Sequence, residues 1–170
     1  ESAQVRFDQT GSVTLILGTI SHGQGHQTVF TQVLCDQLGI DPARVRVHEG
    51  DTDQVTHGTG TFGSRSAALA GSAIVMASNK IIEKAKTLAA HLLEAAPDDV
   101  EFADGTFRIA GTDRDLSFDA VAALAYAAEK LPPEIEPGLD ERALFNPTAP
   151  NFPNGCHVVE VEVDPETGKV

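Results

Sequence analysis

A long amphipathic pattern in the middle of the chain limits its possible folds more than any other feature. From residue 64 to residue 95, apolar side chains recur at steps of three and four residues, the spacing of one buried helix face. The face comprises Ile74, Ala77, Ile81, Ala85, Leu88 and Leu92. Pro97 follows and is expected to end the helix. The chain is therefore expected to contain one long helix with a single apolar side.

Shorter patterns before this helix predict a hairpin, another helix and a third strand. Alternating apolar and polar residues over 4–8 and 12–19 flank a Gln-Thr-Gly turn and predict a β-hairpin. Residues 26–38 predict a helix that Gly39 ends, and residues 45–48 alternate as a strand. The apolar face of that helix comprises Val29, Phe30, Val33, Leu34 and Leu38.

After the long helix, the sequence predicts a second hairpin, a further helix and a last strand. Asp104-Gly105 is a type I′ turn signal between two short apolar stretches. Ser117 is typical of the N-cap of a helix over residues 118–130. The proline-rich stretch 133–154 is expected to be a loop. The predicted strands of this half are residues 100–102, 106–110 and 157–163.

The predicted elements follow the order ββαβαββαβ, which favours an α+β fold. Hairpins occur among the helices without strict βαβ repetition, so we expect a mixed β-sheet with packed helices, including the long one. The 170 residues fit one domain. Glu1 is not an initiator methionine and Val170 follows a turn closely, so we expect a domain truncated at both ends.

Charge and hydropathy argue against several classes of partner. The chain has 12 Lys+Arg against 25 Asp+Glu, a formal net charge of -13. Nucleic acids and anionic membrane surfaces are bound through positive charge, so neither is an expected partner. No apolar run approaches the roughly 20 residues that a membrane-spanning helix needs.

Cys35 and Cys156 form no CxxC pair and are expected to be reduced in a cytoplasmic protein, with Cys156 in a buried strand.

The first glycine-rich loop, residues 22–28, leads into the helix over residues 26–38. A helix start presents unpaired N–H groups and a partial positive charge, which favour an oxyanion such as phosphate. Gln24 stands between Gly23 and Gly25, and its amide can donate to a ligand and accept from it. A plain turn that caps the helix is the alternative.

The second glycine-rich loop, residues 58–66, leads into the long helix. Its hydroxyl side chains are Thr59, Thr61, Ser64 and Ser66. Arg65 is unfavourable at a helix start unless an anion or a carboxylate lies nearby. Two interpretations stay open. The loop is an anion site, or it is a polar loop in which Ser64 caps the helix and Arg65 pairs with Asp51 or Asp53.

No metal-ion site formed by protein side chains alone is predicted. The glycines around His22 and His26 disfavour the helix that would align these two side chains as ligands. The acidic residues from Glu49 to Asp53 lack the spacing of an EF-hand and predict a solvated loop. Neither glycine-rich loop matches GxxxxGK[ST], the phosphate loop of nucleoside triphosphatases.

At these loops the chain resembles the molybdenum hydroxylases, the family of xanthine dehydrogenase, aldehyde oxidase and the large subunit of aerobic carbon monoxide dehydrogenase. Residues 22–28 are similar to the family's Gly-Gln-Gly-x-x-Thr segment. Residues 50–53 and 60–66 are similar to its second cofactor loop, and residues 154–168 to a later strand and turn. His26 and the Gly-Ser-Arg-Ser run are most similar to the carbon monoxide dehydrogenase-like and bacterial aldehyde-oxidising branch.

The resemblance implies a molybdenum–pterin cofactor (molybdopterin), in bacteria usually its cytosine dinucleotide form. Gln24 would lie beside the molybdenum ligands. The residues that would help to hold the pterin and phosphate region are Gly23, Gly25, His26 and Thr28. Those that would donate to the pterin or its phosphates are Thr61, Gly63, Ser64, Arg65 and Ser66. The implied partners are the rest of a large subunit, iron–sulfur and flavin subunits or domains, and a small-molecule substrate.

The family's catalytic base, a glutamate in a Gly-Glu context near the C-terminus of the large chain, has no match here. We therefore assign no catalytic residue and expect the isolated chain to be inactive and without cofactor. The leading hypothesis is the cofactor-binding domain of an oxidoreductase that hydroxylates or oxidises an aldehyde, an N-heterocycle or carbon monoxide. A non-catalytic binding or assembly domain that keeps the fold without the cofactor is the alternative. A small-nucleotide-binding module lacks a recognisable base or ribose contact.

Overall fold

The computed structural model describes residues 1–133 and 135–170, and its secondary structure confirms the α+β prediction. The strands are β1 (Ser2–Phe7), β2 (Val13–Leu17), β3 (Val45–Glu49), β4 (Val100–Ala103), β5 (Thr106–Ile109), β6 (Asp115–Ser117) and β7 (Asp140–Leu144). The α-helices are α1 (His26–Leu38), α2 (Ser66–Leu93) and α3 (Phe118–Ala125). The predicted hairpins and the first two helices are confirmed to within two residues at each helix end.

The larger sheet has the strand order β3-β2-β1-β7 and is mixed. β1 pairs antiparallel with both β2 and β7, whereas β2 pairs parallel with β3. A parallel neighbour requires a crossover connection, which α1 provides. The carboxyl ends of β2 and β3 consequently lie side by side, and the segments that leave these strands start at one edge of the sheet.

The core lies between this sheet and the long helix α2, which packs on α1, β1 and β7. Most of the predicted face of α2 is fully buried, and so are Phe30, Leu34 and Leu38 of α1. Two residues depart from the prediction: Val29 is 40% exposed and Leu92 is 42% exposed. In the last turn of α2, Leu93 is buried instead. The smaller sheet, β4-β5-β6, is antiparallel.

The helix predicted over residues 118–130 is shorter than expected. Ser117 is its N-cap, as predicted, and accepts a hydrogen bond from the N–H of Ala120. α3 ends at Ala125 because the chain downstream returns to it, and the N–H of Gly138 donates to the Ala125 carbonyl. The Tyr126 hydroxyl donates to the Phe7 carbonyl, which ties the helix end to β1.

Two short strands, β6 and β7, are not among the elements predicted from the sequence. β7 lies inside the proline-rich stretch that was predicted to be a loop, and it pairs with β1 at the edge of the larger sheet. Its charged residues Asp140, Glu141 and Arg142 hide the apolar alternation, and such charges are common on edge strands. β6 is only three residues long and pairs with β5.

The strand predicted over residues 157–163 is wrong. These residues are exposed, with Val158 at 90% and Val163 at 54%, and they pair with no strand in the described part of the chain. Cys156 is correspondingly exposed rather than buried. An alternating pattern shows which residues suit a pleated strand, but the strand forms only where a neighbour supplies hydrogen bonds.

Among residues 1–133 and 135–170, no helix combines the length and the apolar character needed to cross a membrane.

Candidate binding site at two helix starts

The starts of α1 and α2 line one groove, whose volume is about 230 Å³. The lining residues are Gln24, His26, Val29, Phe30, Thr61, Ser64, Ser66 and Ala67. They come from both glycine-rich loops and from the helix residues that directly follow them, Val29 and Phe30 in α1 and Ala67 in α2. The sequence alone shows these as two separate helix starts. The loops meet because they leave the sheet at the edge where β2 and β3 end, and α1 packs against α2. The carboxyl edge of parallel strands is a common place for a ligand.

Both helices begin without a side-chain cap. Gly25 precedes α1 and Arg65 precedes α2, and neither supplies a capping hydrogen bond from its side chain. Within the described residues, the first N–H groups of both helices lack an acceptor; they belong to His26, Gln27, Thr28, Ser66, Ala67 and Ala68. Unpaired N–H groups and two helix dipoles that meet at one groove favour an anionic ligand.

Four glycines leave the backbone around the groove without side chains. Gly23, Gly25, Gly60 and Gly63 have φ values of 94°, 83°, 85° and 58°, and a Cβ on any of them would meet no atom within 4 Å. These glycines are therefore favoured by their left-handed backbone conformation and not by crowding. Ser64 also has a positive φ of 55°, which is uncommon for a residue with a side chain. A ligand could approach the peptide groups of both loops closely.

In the first loop, an exposed glutamine is tied to buried groups. Gln24 Oε1 accepts from the N–H of His22, and Gln24 Nε2 lies 3.0 Å from His26 Nε2. His26 Nδ1 lies 2.8 Å from Glu49 Oε1, and the Thr19 hydroxyl donates to the same oxygen. Thr19 follows β2 and Glu49 ends β3, so the parallel strand pair supplies this anchor.

In the second loop, Thr61 joins the two segments. Its Oγ1 accepts from the N–H of Ile20 at 3.0 Å and from the Ser66 hydroxyl at 3.0 Å. A hydroxyl has one hydrogen and two lone pairs, so two accepted bonds leave its own hydrogen to be donated. Within the described residues that hydrogen has no acceptor, and Thr61 lines the groove.

Arg65 pairs with a carboxylate, but not with the one expected. Its Nη1 donates to Glu1 Oε2 at 2.6 Å and to the Gly60 carbonyl at 2.8 Å. The guanidinium also lies 5.1 Å from the centre of the Phe62 ring. The pairing with Asp51 or Asp53 is therefore wrong, and so is Ser64 as N-cap, because Arg65 occupies that position. Glu1 is 64 positions away, and no local sequence signal connects it to this loop.

The ion pair between Glu1 and Arg65 is deeply buried. The exposed fraction is 0% for the Glu1 side chain and 15% for the Arg65 side chain. Glu1 Oε1 is buried without a hydrogen-bond partner in the described chain. Separating the two groups would leave a buried charge without its partner, which is costly, so the pair holds the second loop in place. The Nη1 group of Arg65 is correspondingly occupied by the protein.

A contact between two glycines holds the second loop against the end of β2. A Cβ on Gly18 would lie 2.5 Å from the Cα of Gly58, so the two backbones touch at this point. The Ser2 hydroxyl donates to the His57 carbonyl beside it. Beyond the contact, a second hollow of about 430 Å³ lies between Ile20 and residues 50–60. The contact was not predicted from the sequence, although a glycine directly after β2 is a signal of close approach.

Thr28, His22 and Asp51 are the remaining candidate residues of the two loops and their flanking segments. Thr28 is exposed on the first turn of α1, and His22 is exposed in the loop before it. The pKa of Asp51 is lowered, first by the hydrogen bond from the Gln54 side chain and then by the N–H of Asp53. No group of three or more His, Cys, Asp or Glu side chains is placed to hold a metal ion among the residues that the structure describes.

The comparisons with known proteins agree with the resemblance noted at the two loops. The family profile described as "Molybdopterin cofactor-binding domain" matches residues 1–170. The carbon monoxide dehydrogenase large chain of Hydrogenophaga pseudoflava is 38% identical over 170 residues, which is 99% of this chain and 21% of that protein. The nicotine 6-hydroxylase large subunit of Paenarthrobacter nicotinovorans is 38% identical over 172 residues, with 100% of this chain and 21% of that protein covered.

A solved structure shares the fold. The crystal structure of Cu,Mo-CO dehydrogenase in its carbon monoxide reduced state has a TM-score of 0.82 and 38% identity, over 86% of this chain and 18% of that chain. The chain thus spans about a fifth of the length of the curated relatives that it matches.

Proposed function

Because the chain belongs to the molybdopterin cofactor-binding domain family of molybdenum hydroxylase large subunits, we propose that its groove binds a molybdenum–pterin cofactor in the cytosine dinucleotide form. The observation that supports this most is the meeting of two uncapped helix starts at one groove. The dinucleotide carries phosphates, and phosphates bind well to unpaired N–H groups at helix starts. In a chain of net charge -13, local dipoles are a more suitable source of attraction than the overall field.

The residues implied by the family resemblance divide into two groups. In the first group, a donor remains for the cofactor, except at Gly23, whose N–H donates to the Ser21 hydroxyl at 3.4 Å and which would contribute only close approach to the backbone. Gln24 would lie beside the molybdenum ligands, and the others would contact the pterin and phosphates: Gly23, Gly25, Thr28, Thr61, Gly63 and Ser64. In the second group, side-chain polar atoms are already bonded within the protein, so these side chains would act mainly by shaping the site: His26, Arg65 and Ser66. The backbone N–H groups of His26 and Ser66, which have no acceptor in the described chain, would still be available to the cofactor.

Residues 1–170 would form one part of a longer large subunit. That subunit would belong to an oxidoreductase that hydroxylates or oxidises an aldehyde, an N-heterocycle or carbon monoxide, in line with the names of its relatives. Its partners would be the rest of the large subunit, iron–sulfur and flavin subunits or domains, and a small-molecule substrate. The bound cofactor would supply the redox chemistry, while this chain would bind and orient it.

A domain that keeps the fold without the cofactor is the second candidate. The buried pair of Arg65 and Glu1 favours it, because that pair gives the second loop a structural reason to persist without a ligand. The two candidates differ in whether the longer protein contains molybdenum and a cytidine nucleotide.

The test is to measure molybdenum and released cytidine nucleotide per chain in the full-length protein, purified from a host that makes the cofactor. Gly25 and Gly63 are chain neighbours of the groove-lining residues Gln24, His26 and Ser64, and a Cβ on either glycine would meet no protein atom within 4 Å. The methyl group of Gly25→Ala or Gly63→Ala is therefore expected to obstruct a ligand that approaches the loop backbone. Gly111→Ala is the matched control, since Gly111 also has a positive φ of 75° and open space but lies outside the groove.

We expect nearly one molybdenum and one nucleotide per chain in the wild type and in Gly111→Ala. The two groove variants should lose most of both. Equal contents in all four proteins would contradict the placement of the cofactor in this groove. A wild type without metal and nucleotide would leave the cofactor-free domain as the better account.

A further inference from the structure

We infer that Glu49 and His26 are positioning residues that fix which end of the Gln24 amide faces the groove. The three side chains form a relay of hydrogen bonds from the end of β3 to the first glycine-rich loop. Only Gln24 is exposed; the exposed fraction is 6% for the His26 side chain and 9% for the Glu49 side chain. The inference rests on the proposed function only for the identity of the ligand that Gln24 meets.

The first step of the relay fixes the proton on the imidazole. A carboxylate only accepts hydrogen bonds, and Glu49 Oε1 lies 2.8 Å from His26 Nδ1. The hydrogen of the imidazole is therefore on Nδ1. The Thr19 hydroxyl donates to the same carboxylate oxygen and holds the carboxylate in place.

The second step fixes the amide. His26 Nε2 lies 3.0 Å from Gln24 Nε2, and an amide nitrogen only donates. His26 Nε2 must then accept, which agrees with a hydrogen on Nδ1. A hydrogen on both ring nitrogens would bring two N–H groups face to face.

The other end of the amide supports the same orientation. Gln24 Oε1 accepts from the N–H of His22 at 2.5 Å, so a reversed amide would oppose two donors there. One hydrogen of Gln24 Nε2 points to His26, and the second has only the Ile20 carbonyl at 3.5 Å, the limit of a hydrogen bond. The relay therefore leaves one amide N–H as a fixed donor for a ligand in the groove.

The first arm of the test measures the tautomer of His26 by 15N nuclear magnetic resonance of the full-length protein with labelled histidine. The protein is produced in a host that does not make the cofactor, so the relay is observed without a ligand in the groove. We expect Nδ1 protonated and Nε2 unprotonated at neutral pH. Glu49→Leu should allow the tautomer with hydrogen on Nε2. Glu49→Gln should largely keep the hydrogen on Nδ1, because the glutamine amide oxygen still accepts a hydrogen bond.

Glu101→Leu is the matched control, because Glu101 is an exposed strand carboxylate on β4. It should leave the His26 tautomer unchanged. A wild type with hydrogen on Nε2, or a Glu49→Leu variant with the wild-type tautomer, would overturn the inference. If Glu49→Leu does not fold, the wild-type tautomer and Glu49→Gln still decide the question.

The second arm uses the full-length protein from a host that makes the cofactor. The electron paramagnetic resonance signal of molybdenum should shift in Glu49→Leu and stay unchanged in Glu101→Leu, with Glu49→Gln close to wild type. A shifted tautomer with an unchanged signal would overturn the role of the relay at the ligand and leave the proposed function intact. A wild type without molybdenum would overturn the proposed function, while the first arm would still decide the relay.

Discussion

The two glycine-rich loops present the same kind of surface to one groove, but they are held in place by different means. The first loop is anchored by the relay from Gln24 through His26 to Glu49. The second loop is anchored by the buried ion pair of Arg65 with Glu1 and by the contact between Gly18 and Gly58. The difference shows that similar binding geometry does not require similar support.

The anchors also differ in their distance along the chain. Those of the first loop come from the βαβ unit that contains the loop, whereas those of the second loop include Glu1 at the beginning of the chain. The second loop therefore depends more on the docking of β1. Its arginine supports the fold, so the donors for the anion of the proposed function would be mainly backbone N–H groups.

The largest expected effect is the loss of the ion pair. Arg65→Met should lower the free energy of unfolding by about 3–5 kcal/mol, because the buried carboxylate of Glu1 is left without its partner. Gln24→Ala in the first loop removes an exposed side chain and should cost less than about 1 kcal/mol. Urea unfolding of the 170-residue chain measures both values.

The double variant Glu1→Gln/Arg65→Met is the control for this comparison. It removes both charges and should recover a large part of the lost stability. If Arg65→Met costs no more than Gln24→Ala, the ion pair is not the anchor of the second loop.

A smaller effect is expected from a methyl group between the two backbones. Gly58→Ala should destabilise the fold by about 1–3 kcal/mol, because its Cβ would meet only the backbone of Gly18, 2.5 Å from the Gly18 carbonyl oxygen. Gly71→Ala in α2, where a Cβ meets nothing within 4 Å, should instead stabilise the chain by about 0.5–1 kcal/mol. Thermal unfolding compares the two variants, and equal shifts of Tm would contradict the contact.

The smallest expected effect is a pH dependence of local stability around Asp51, in the segment that precedes the second loop. The pKa of Asp51 is below its usual value because the Gln54 amide and the N–H of Asp53 bind the ionised carboxylate. A lowered pKa in the folded state gives stability that is present above the unfolded value of 3.8 and lost as pH falls through the folded value. Hydrogen exchange at Asp53 and Gln54, corrected for intrinsic rates, should be slower at pH 5 than at pH 3. Asp51→Asn should remove this difference.

Local patterns predicted most of the helices and strands. The bounds of α1 agree with the sequence, and those of α2 differ from it by two residues at each end, because the periodic apolar faces are long and glycine or proline follows them. The hairpin at Asp104-Gly105 also formed as predicted, with both residues at positive φ. The strand at residues 157–163 failed because its pattern needed a neighbour.

For the site, the sequence identified both glycine-rich loops and their helix starts, and the roles of the named residues toward the cofactor stay predictions. It could not predict that Glu1 pairs with Arg65 or that Glu49 bonds to His26. Neither Glu1 nor Glu49 belongs to a sequence motif that indicates its partner. Strand pairing, which the local sequence does not show, brings each glutamate to its partner.

By itself, the sequence determined the helical periodicity, the turns, the negative charge and the family, because each of these is written in neighbouring residues or in a motif. The tertiary structure alone decided that the two helix starts share one groove. The reason is the parallel pairing of β2 with β3, which brings two strand ends to one edge of the sheet and so directs both loops to the same place. That pairing depends on contacts between residues about thirty positions apart, which no local pattern contains.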